Sequence, residues 1–223
     1  PGKTPTLYSY WRSSCSWRVR IVLELMGIEY NYNAVHLLKD GGEQLKEDYA
    51  ARNPMKVLPT LEIDGTSITQ SMAIIEYLLD TRSVATGVTL YPADALGKAR
   101  VRQMVYTVVC DTQPVQNLRV LKHVMGWVEG SEAKTERKLS WGKHYVAEGF
   151  RGLEPLLAAH AGKYSYGDEI TLADVVLVPQ VYNANRFGVD FSEFPTIKRV
   201  SDALADHPAF KRSHPSAVPD HDT

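Results

Sequence analysis

Near the start of the chain, the segment from Arg12 to Arg18 contains residue types that could act on a thiol. It holds two serines, Ser13 and Ser14, and the cysteine Cys15, between a short apolar-aromatic stretch and a helical pattern. N–H groups at the start of a helix carry partial positive charge, so a thiolate in this turn would be stabilised. A serine hydroxyl could donate to that sulfur, although serines at this position also serve as ordinary helix caps.

Cys15 has two interpretations, as a group that assists the chemistry or as a structural residue. It stands where a thioredoxin-like fold has its Cys-x-x-Cys pair, but the partner position holds Arg18. Without a resolving cysteine the chain cannot run a dithiol cycle alone, which favours chemistry on an external thiol. The second cysteine, Cys110, lies far away in another motif, and we expect both thiols to be reduced.

Three further segments offer groups that could hold a short peptide. Pro59 opens a strand, and a cis bond before it would turn the Leu58 amide and carbonyl outward; an ordinary trans proline is the alternative. Gln70 and Ser71 begin a helix and could hold a carboxylate or simply cap the helix, and Gln44 could reach a second carboxylate. A thiol at one helix start, backbone pairing at Leu58 and a carboxylate at another helix start together describe a site for glutathione.

The elements that must position these groups alternate over residues 1–84 in the order βαβαββα. Helical spacing runs from Ser16 to Met26 and from Ser71 to about Asp80, and Gly65 stands between two strand-like segments. A Gly- and Pro-containing connector follows at 85–92. The first domain is therefore predicted to be α/β and thioredoxin-like.

Beyond the connector, residues 93–223 show no strand signals and are predicted to form an all-helical domain. Helical patterns cover 95–111, 115–128 and 138–160, and another helix begins at Thr171. There Thr171 and Asp174 have the spacing of a capping box. The Pro- and Asp-rich tail after His214 is predicted to be loosely held.

Composition narrows the function classes. The 223 residues are 44% apolar and 23% charged, with a formal net charge of -1. The chain therefore lacks the excess of positive charge that is typical of proteins that bind nucleic acids or membrane surfaces. No apolar run approaches the roughly 20 residues that span a bilayer, and no targeting signal is recognised, so we expect a cytoplasmic location. Three histidines recur every seven residues: His207, His214 and His221. Prolines interrupt any helix that would align them, so no metal site is predicted, and no motif predicts a nucleotide site.

On these residues the chain resembles the zeta class of glutathione transferases. Residues 8–20, Tyr-Ser-Tyr-Trp-Arg-Ser-Ser-Cys-Ser-Trp-Arg-Val-Arg, match the class signature nearly letter for letter. Further matching segments extend the likeness over nearly the whole chain: Asn53–Lys56, Pro59–Leu61, Gln70–Ser71, Ala73–Tyr77, Gln113–Pro114, Gln116–Leu118, Gly167–Glu169, Ala173–Asp174, Val178–Val181 and Arg186–Phe187.

The resemblance implies a thioredoxin-like domain followed by an all-helical domain, assembled as a homodimer. It assigns catalysis to Ser13, Ser14 and Cys15, with the Ser13 hydroxyl stabilising the thiolate. It assigns contacts with the cofactor glutathione to a larger set: Ser16, Trp17, Arg18, Gln44, Leu58, Pro59, Gln70, Ser71, Gln113, Asn117, Leu118 and Arg119. Arg12 and Arg186 are implied to bind substrate carboxylates, with a surface charge as the alternative for Arg186.

The implied reaction is a cis–trans isomerisation of a small dicarboxylic diketo acid, from maleylacetoacetate to fumarylacetoacetate, in tyrosine and phenylalanine catabolism. Glutathione thiolate adds to the alkene to give an enolate with a single bond, which rotates before the thiolate is expelled. The resemblance also implies transfer of glutathione to small electrophiles such as α-haloacids.

Three alternatives remain open: a maleylpyruvate isomerase, a Cys15-based thiol transferase or dehydroascorbate reductase, and a non-catalytic binding module of the same fold. Two segments depart from the class pattern. Val57-Leu58 stands where Gln-Val is frequent, and the stretch 125–136 is longer than in animal members.

Overall fold

The computed structural model describes residues 3–221, whose contacts group them into two units. The first comprises the described parts of Pro1–Thr89 and Asp206–Thr223, and the second is Leu90–Ala205. The sequence had assigned residues 93–223 to one domain, but the last segment packs with the first unit. The reason is that Phe210 and Ser213, which are 2% and 0% exposed, are buried where this segment meets the first helix.

The first unit has the predicted order βαβαββα. Its elements are β1 (Thr6–Ser9), α1 (Ser14–Met26), β2 (Asn31–Ala34), α2 (Glu47–Ala50), β3 (Thr60–Ile63), β4 (Thr66–Thr69) and α3 (Ser71–Thr86). The sheet order is β2-β1-β3-β4, with β1 parallel to β2 and antiparallel to β3, and with β3 antiparallel to β4. This is the mixed four-stranded sheet of a thioredoxin-like domain.

Glycines set two of the boundaries in this unit. Gly27 ends α1 in the left-handed region at φ 63°, and Gly65 makes the β3–β4 turn at φ 77°. Both conformations are readily available only to glycine. The helix α3 is longer than the sequence predicted, since it ends at Thr86, before its C-cap Gly87, rather than near Asp80. The hydroxyls of Thr81 and Thr86 bond to carbonyls one turn earlier.

The second unit is helical. Its α-helices are α4 (Ala95–Tyr106), α5 (Leu118–Met125), α6 (Ser131–His160), α7 (Leu172–Arg186) and α8 (Pro195–Ala205). The segment predicted as one helix over 95–111 changes at Thr107–Thr112 to a π-helical turn, and α6 begins seven residues earlier than the predicted 138 because Gly130 at φ 82° precedes it. The Thr171 N–H donates to Asp174 Oδ2 at 2.7 Å, as the predicted capping box requires.

Each unit has its own apolar core. In the first, β1, α1, β3 and α3 bury one set of side chains: Leu7, Val19, Val22, Leu61, Ile74, Ile75 and Leu78. In the second, α4, α6, α7 and α8 bury another: Val101, Val105, Val146, Phe150, Leu172, Val175, Ile197 and Val200. The short α9 (Pro208–Arg212) and the residues after it belong to the first unit. Asp220 there is 6% exposed, so the tail up to residue 221 is held more firmly than its composition predicted.

Candidate functional site

The turn between β1 and α1 places Ser13 at the N-cap of the helix. Its Oγ accepts from the Ser16 N–H at 3.2 Å, and its own N–H donates to the Tyr10 carbonyl at 2.9 Å. A hydroxyl that accepts one hydrogen bond keeps its proton for donation. The capping function and a thiolate-stabilising function are therefore compatible in the same side chain.

Arg18 is a buried cation at this helix start. Its side chain is 2% exposed, and Nη1 lies 3.7 Å from Cys15 Sγ and 3.4 Å from Ser71 Oγ. Within residues 3–221, its Nε and Nη2 have no hydrogen-bond partner. Burying a charge without partners is costly, so these donors indicate a place for an anionic ligand. Cys15 itself is half-buried with a free thiol.

The start of α3 provides a second group of donors. Ser71 is 6% exposed, and the preceding Gln70 has φ 69°, a left-handed conformation that side chains rarely adopt. No side chain of the described residues caps this helix, so its first N–H groups are available to an anion. The backbone strain at Gln70 is located where the sequence predicted a carboxylate subsite.

Leu58 offers backbone groups next to β3. The Leu58–Pro59 peptide bond is cis, as the sequence analysis considered, and the Leu58 side chain is buried. The preceding Val57 carbonyl accepts from the Tyr49 hydroxyl and the Asn53 side-chain amide, both at 2.7 Å. These two bonds fix the segment that leads into Leu58. Among the described residues, the Leu58 N–H and carbonyl form no backbone hydrogen bond outside the strand ladder.

Gln44 lies in a short 3-10 turn, Glu43–Leu45, rather than in an open flexible stretch. It is 6% exposed, and its Oε1 has no partner within the described part of the chain. A buried acceptor without a hydrogen-bond donor lowers the stability of the folded protein unless a ligand or a water molecule supplies the donor. The unpaired groups of Arg18 and Gln44 therefore fit a peptide that has both acidic and N–H groups, as glutathione has.

The neighbouring predicted residues have different surroundings. Ser16 and Trp17 are buried. The indole N–H of Trp17 donates to Ser213 Oγ at 3.0 Å, so this donor already has a partner within the first unit. Ser14 is 7% exposed at the first position of α1. The Arg12 guanidinium lies 5.0 Å from the Trp11 ring centroid, a cation–π arrangement.

The remaining predicted residues belong to the second unit. Gln113 is 8% exposed and follows the π-helical turn, and Asn117 caps α5 by accepting from the Arg119 N–H at 3.3 Å, with Leu118 beginning that helix. Arg186 ends α7, and its Nη1 donates to Asn183 Oδ1 at 3.2 Å.

Two family models match the chain. They are described as the glutathione S-transferase N-terminal domain, over residues 3–80, and the glutathione S-transferase C-terminal domain, over residues 120–212. A maleylacetoacetate isomerase of Dictyostelium discoideum is 47% identical over 96% of this chain and 94% of its own length.

Two solved structures extend the similarity. The holo structure of maleylpyruvate isomerase, a bacterial glutathione S-transferase of the zeta class, has a TM-score of 0.89 and 41% identity, covering 96% of this chain and 99% of the other. The chain is a zeta-class glutathione transferase. A maleylacetoacetate isomerase of Anaeromyxobacter dehalogenans with glutathione bound in its active site has a TM-score of 0.85 and 43% identity, covering 98% of both chains.

In this transferase, two residues that the sequence analysis did not single out, Arg20 and Asp220, form hydrogen bonds with the Trp11 backbone in the turn between β1 and α1. Arg20 is 0% exposed, and burial lowers its pKa. Asp220 accepts from the Tyr32 hydroxyl at 2.6 Å; burial, and then this bond, raise the Tyr32 pKa. Arg20 stood within the class signature, but nothing in the composition of the tail indicated Asp220.

The described residues of the transferase offer neither a cluster of metal ligands nor a helix that could span a membrane. Over residues 3–221, no group of three or more His, Cys, Asp or Glu side chains has the arrangement to hold a metal ion. No helix in that range has the length and apolar character needed to cross a membrane.

Proposed function

We propose that this transferase is a glutathione-dependent cis–trans isomerase that converts maleylacetoacetate to fumarylacetoacetate. The observation that supports it most directly is the buried Arg18, whose Nη1 lies between Cys15 Sγ and Ser71 Oγ while its other nitrogens are unpaired among the described residues. Similarity to maleylacetoacetate isomerases along nearly the whole chain supports the choice of substrate.

When bound, glutathione would supply a nucleophilic thiol for reversible addition to the double bond, which would leave a single bond that can rotate. The chain's task is to keep that sulfur ionised, since a free thiol has a pKa of about 8.5. Ser13 would donate its hydroxyl proton to the sulfur, and the first N–H groups of α1, at Ser14 and Cys15, add the positive end of the helix. Cys15 is proposed as an assisting group beside them.

Five residues of the first unit are proposed to hold the tripeptide. Arg18, Ser71 and Gln70 would bind a carboxylate at the start of α3, where charge-assisted bonds to backbone and hydroxyl donors converge. Leu58 would pair with the peptide through its N–H and carbonyl, and Gln44 would use its buried amide. The other glutathione contacts of the sequence prediction remain part of the proposal: Ser16, Trp17, Pro59, Gln113, Asn117, Leu118 and Arg119.

Arg12 and Arg186 are the proposed partners of the substrate's two carboxylates. A guanidinium fork matches a carboxylate with two parallel hydrogen bonds and stays charged at any physiological pH. Holding a dianionic acid also restricts its orientation, which is how an enzyme converts binding into rate.

A maleylpyruvate isomerase is the second candidate function, favoured by the high structural similarity to that enzyme. The two substrates share a cis double bond conjugated to a ketone and differ in the length of the diketo acid. The chemistry assigned to Ser13 and Arg18 is the same for both.

The deciding experiment measures cis to trans conversion of maleylacetone and of maleylpyruvate, each with and without glutathione. Glutathione-dependent turnover is expected, and the ratio of kcat/KM values assigns the physiological acid. A folded protein that binds glutathione but converts neither acid would contradict the isomerase and favour transfer to another electrophile, such as an α-haloacid. Failure to bind glutathione would favour a non-catalytic binding module.

A Cys15-based thiol transferase or dehydroascorbate reductase makes the opposite prediction for two variants. Cys15→Ala would abolish that activity and Ser13→Ala would not. For the isomerase we expect Ser13→Ala to be the more damaging substitution, with Cys15→Ala retaining measurable turnover.

A cytoplasmic location and a homodimeric state are further parts of the proposal. Cys15 and Cys110 are free thiols, which suits a reducing compartment where glutathione is abundant. Light scattering coupled to size-exclusion chromatography should give a mass of about twice 24.9 kDa for the dimer. A monomeric mass at micromolar concentration would contradict it.

A further inference from the structure

The N–H and the carbonyl of Trp11 are both hydrogen-bonded to buried charged side chains. Its N–H donates to Asp220 Oδ2 at 3.0 Å, and its carbonyl accepts from Arg20 Nη2 at 3.1 Å. Trp11 lies two positions before Ser13, in the turn that leads into α1. The path of the backbone through Trp11 therefore determines where the Ser13 hydroxyl and the first N–H groups of the helix point.

Arg20 reaches three parts of the first unit from its position in α1. Besides Trp11, its guanidinium donates to Ser9 Oγ at 3.0 Å, to the Tyr10 carbonyl at 3.4 Å and to the Ser213 carbonyl at 3.1 Å. The bonds to Ser9 and Tyr10 fix the end of β1, and the bond to Ser213 fixes the chain after α9. One fully buried cation thus joins the catalytic turn to the C-terminal segment.

Asp220 completes this connection from the other side. Its Oδ1 accepts from the Tyr32 hydroxyl at 2.6 Å, which ties the end of the chain to β2, while Oδ2 holds Trp11. Asp220 is also close enough to Arg20 to stabilise its charge. Both carboxylate oxygens are thus used, and the residue is 6% exposed, so water is poorly placed to replace it.

We propose that Asp220 and Arg20 are positioning residues for the reaction, and that the C-terminal segment is part of the catalytic apparatus of the first unit because Asp220 sets the turn that carries Ser13. Neither side chain needs to touch the substrate. This inference rests on the proposed function, since it assigns Ser13 the task of stabilising the thiolate. Loss of the Asp220 carboxylate moves the turn and weakens that stabilisation without removing the groups that bind the rest of glutathione.

The test compares Asp220→Asn with Tyr32→Phe and with Asp206→Asn. Asparagine keeps the size of the side chain but removes its negative charge, which weakens the bond to the Trp11 N–H and ends the stabilisation of Arg20. Phenylalanine removes the Tyr32 hydroxyl, and with it the bonds to Asp220 and Ser9, but leaves the bond between Asp220 and the Trp11 N–H in place. Asp206 lies in the same segment but pairs with Lys211 at the surface, which makes it the matched control.

The first readout is the pKa of the glutathione thiol bound to each protein, followed by ultraviolet absorption of the thiolate with no acceptor acid present. We expect Asp220→Asn to raise this pKa by about one unit, and Tyr32→Phe and Asp206→Asn to leave it close to the wild-type value. Because no isomerisation is measured, this readout remains informative even if neither diketo acid is a substrate.

The second readout separates kcat from KM. We expect kcat in Asp220→Asn to fall between about tenfold and a hundredfold, with the glutathione dissociation constant changed by less than about threefold. An unchanged thiol pKa and kcat in folded Asp220→Asn would overturn the proposal. If Asp220→Asn does not fold, Asp220→Glu is measured instead, which keeps two carboxylate oxygens at an altered distance; a wild-type thiol pKa in that variant would also overturn it.

Discussion

Arg18 and Ser71 are joined by a hydrogen bond of 3.4 Å between the starts of two helices, although 53 positions separate them in the sequence. The same Arg18 nitrogen lies 3.7 Å from Cys15 Sγ. One buried guanidinium therefore links the proposed thiol subsite with the proposed carboxylate subsite. Such an arrangement is expensive in the absence of an anion, which is why we connect it to ligand binding rather than to stability.

Arg18→Met should weaken glutathione binding, because it removes the charge while keeping much of the buried side-chain volume. Hydrogen bonds to a charged group contribute about 1.5–3 kcal/mol, so we expect the dissociation constant to rise between about tenfold and a hundredfold. Isothermal titration calorimetry measures it directly. Arg82→Met is the control, since Arg82 pairs with Asp64 at the surface. Wild-type affinity in Arg18→Met would show that the cation serves another purpose.

Replacing Ser13 by glycine and by alanine separates its two functions. Both variants lose the hydroxyl, but alanine is the poorer N-cap, costing about 1 kcal/mol of stability against a few tenths for glycine. If the hydroxyl stabilises the thiolate, kcat falls about a hundredfold in both. Activity assays and thermal melts on the same samples test this. Near-normal turnover in Ser13→Gly, with loss confined to Ser13→Ala, would mean that Ser13 only caps the helix.

The residues that sequence reasoning identified are those whose function depends on local chain geometry. Ser13 at a helix start, Gln70-Ser71 at another and Pro59 before a strand could each be read from a few neighbouring positions. The bond between Arg18 and Ser71 could not, because it depends on how α1 and α3 pack. Arg18 itself can be assigned to the site from the sequence, because it lies within the class signature.

The C-terminal tail shows the opposite case. Proline and aspartate near residue 220 are typical of loosely held segments. Composition alone does not reveal a hydrogen-bond partner that is distant in the sequence. Trp11 and Asp220 are 209 positions apart, and only the folded chain brings them within 3.0 Å. Aspartate side chains are usually exposed to solvent, so the burial of Asp220 could not be predicted from its local sequence. This exception lies beside the proposed catalytic turn.

His214 should make the stability of the first unit sensitive to mild acid. Burial, followed by the charges of Arg20 and His221, lowers the His214 pKa. The unfolded chain then binds a proton more readily than the folded chain, so stability is present above the ordinary pKa of about 6.5 and is lost as the pH falls below it. Melting curves at about pH 7.5 and about pH 5.5 measure the loss.

His214→Asn is the informative variant for this prediction. Asparagine retains an acceptor for the Ser216 N–H, which the His214 Nδ1 accepts at 3.1 Å, but it does not titrate. We expect the variant to lose less melting temperature than the wild type on acidification. His144→Asn, which changes an exposed histidine of the second unit, should keep the wild-type pH dependence. Parallel curves for wild type and His214→Asn would assign the acid sensitivity to other groups.

Arg186→Lys should impair the handling of the diketo acid and spare glutathione. Lysine preserves the charge but not the planar fork, so a carboxylate loses one of its two parallel hydrogen bonds and we expect KM for the acid to rise about tenfold. The matching monomethyl ester, which lacks one carboxylate, should show a smaller difference between wild type and variant. Arg151→Lys is the control, because Arg151 pairs with Glu148 and Glu193 at the surface of the same unit. Equal KM values for the acid in wild type and Arg186→Lys would make Arg186 a surface charge, and the acid's carboxylates would then need another cation.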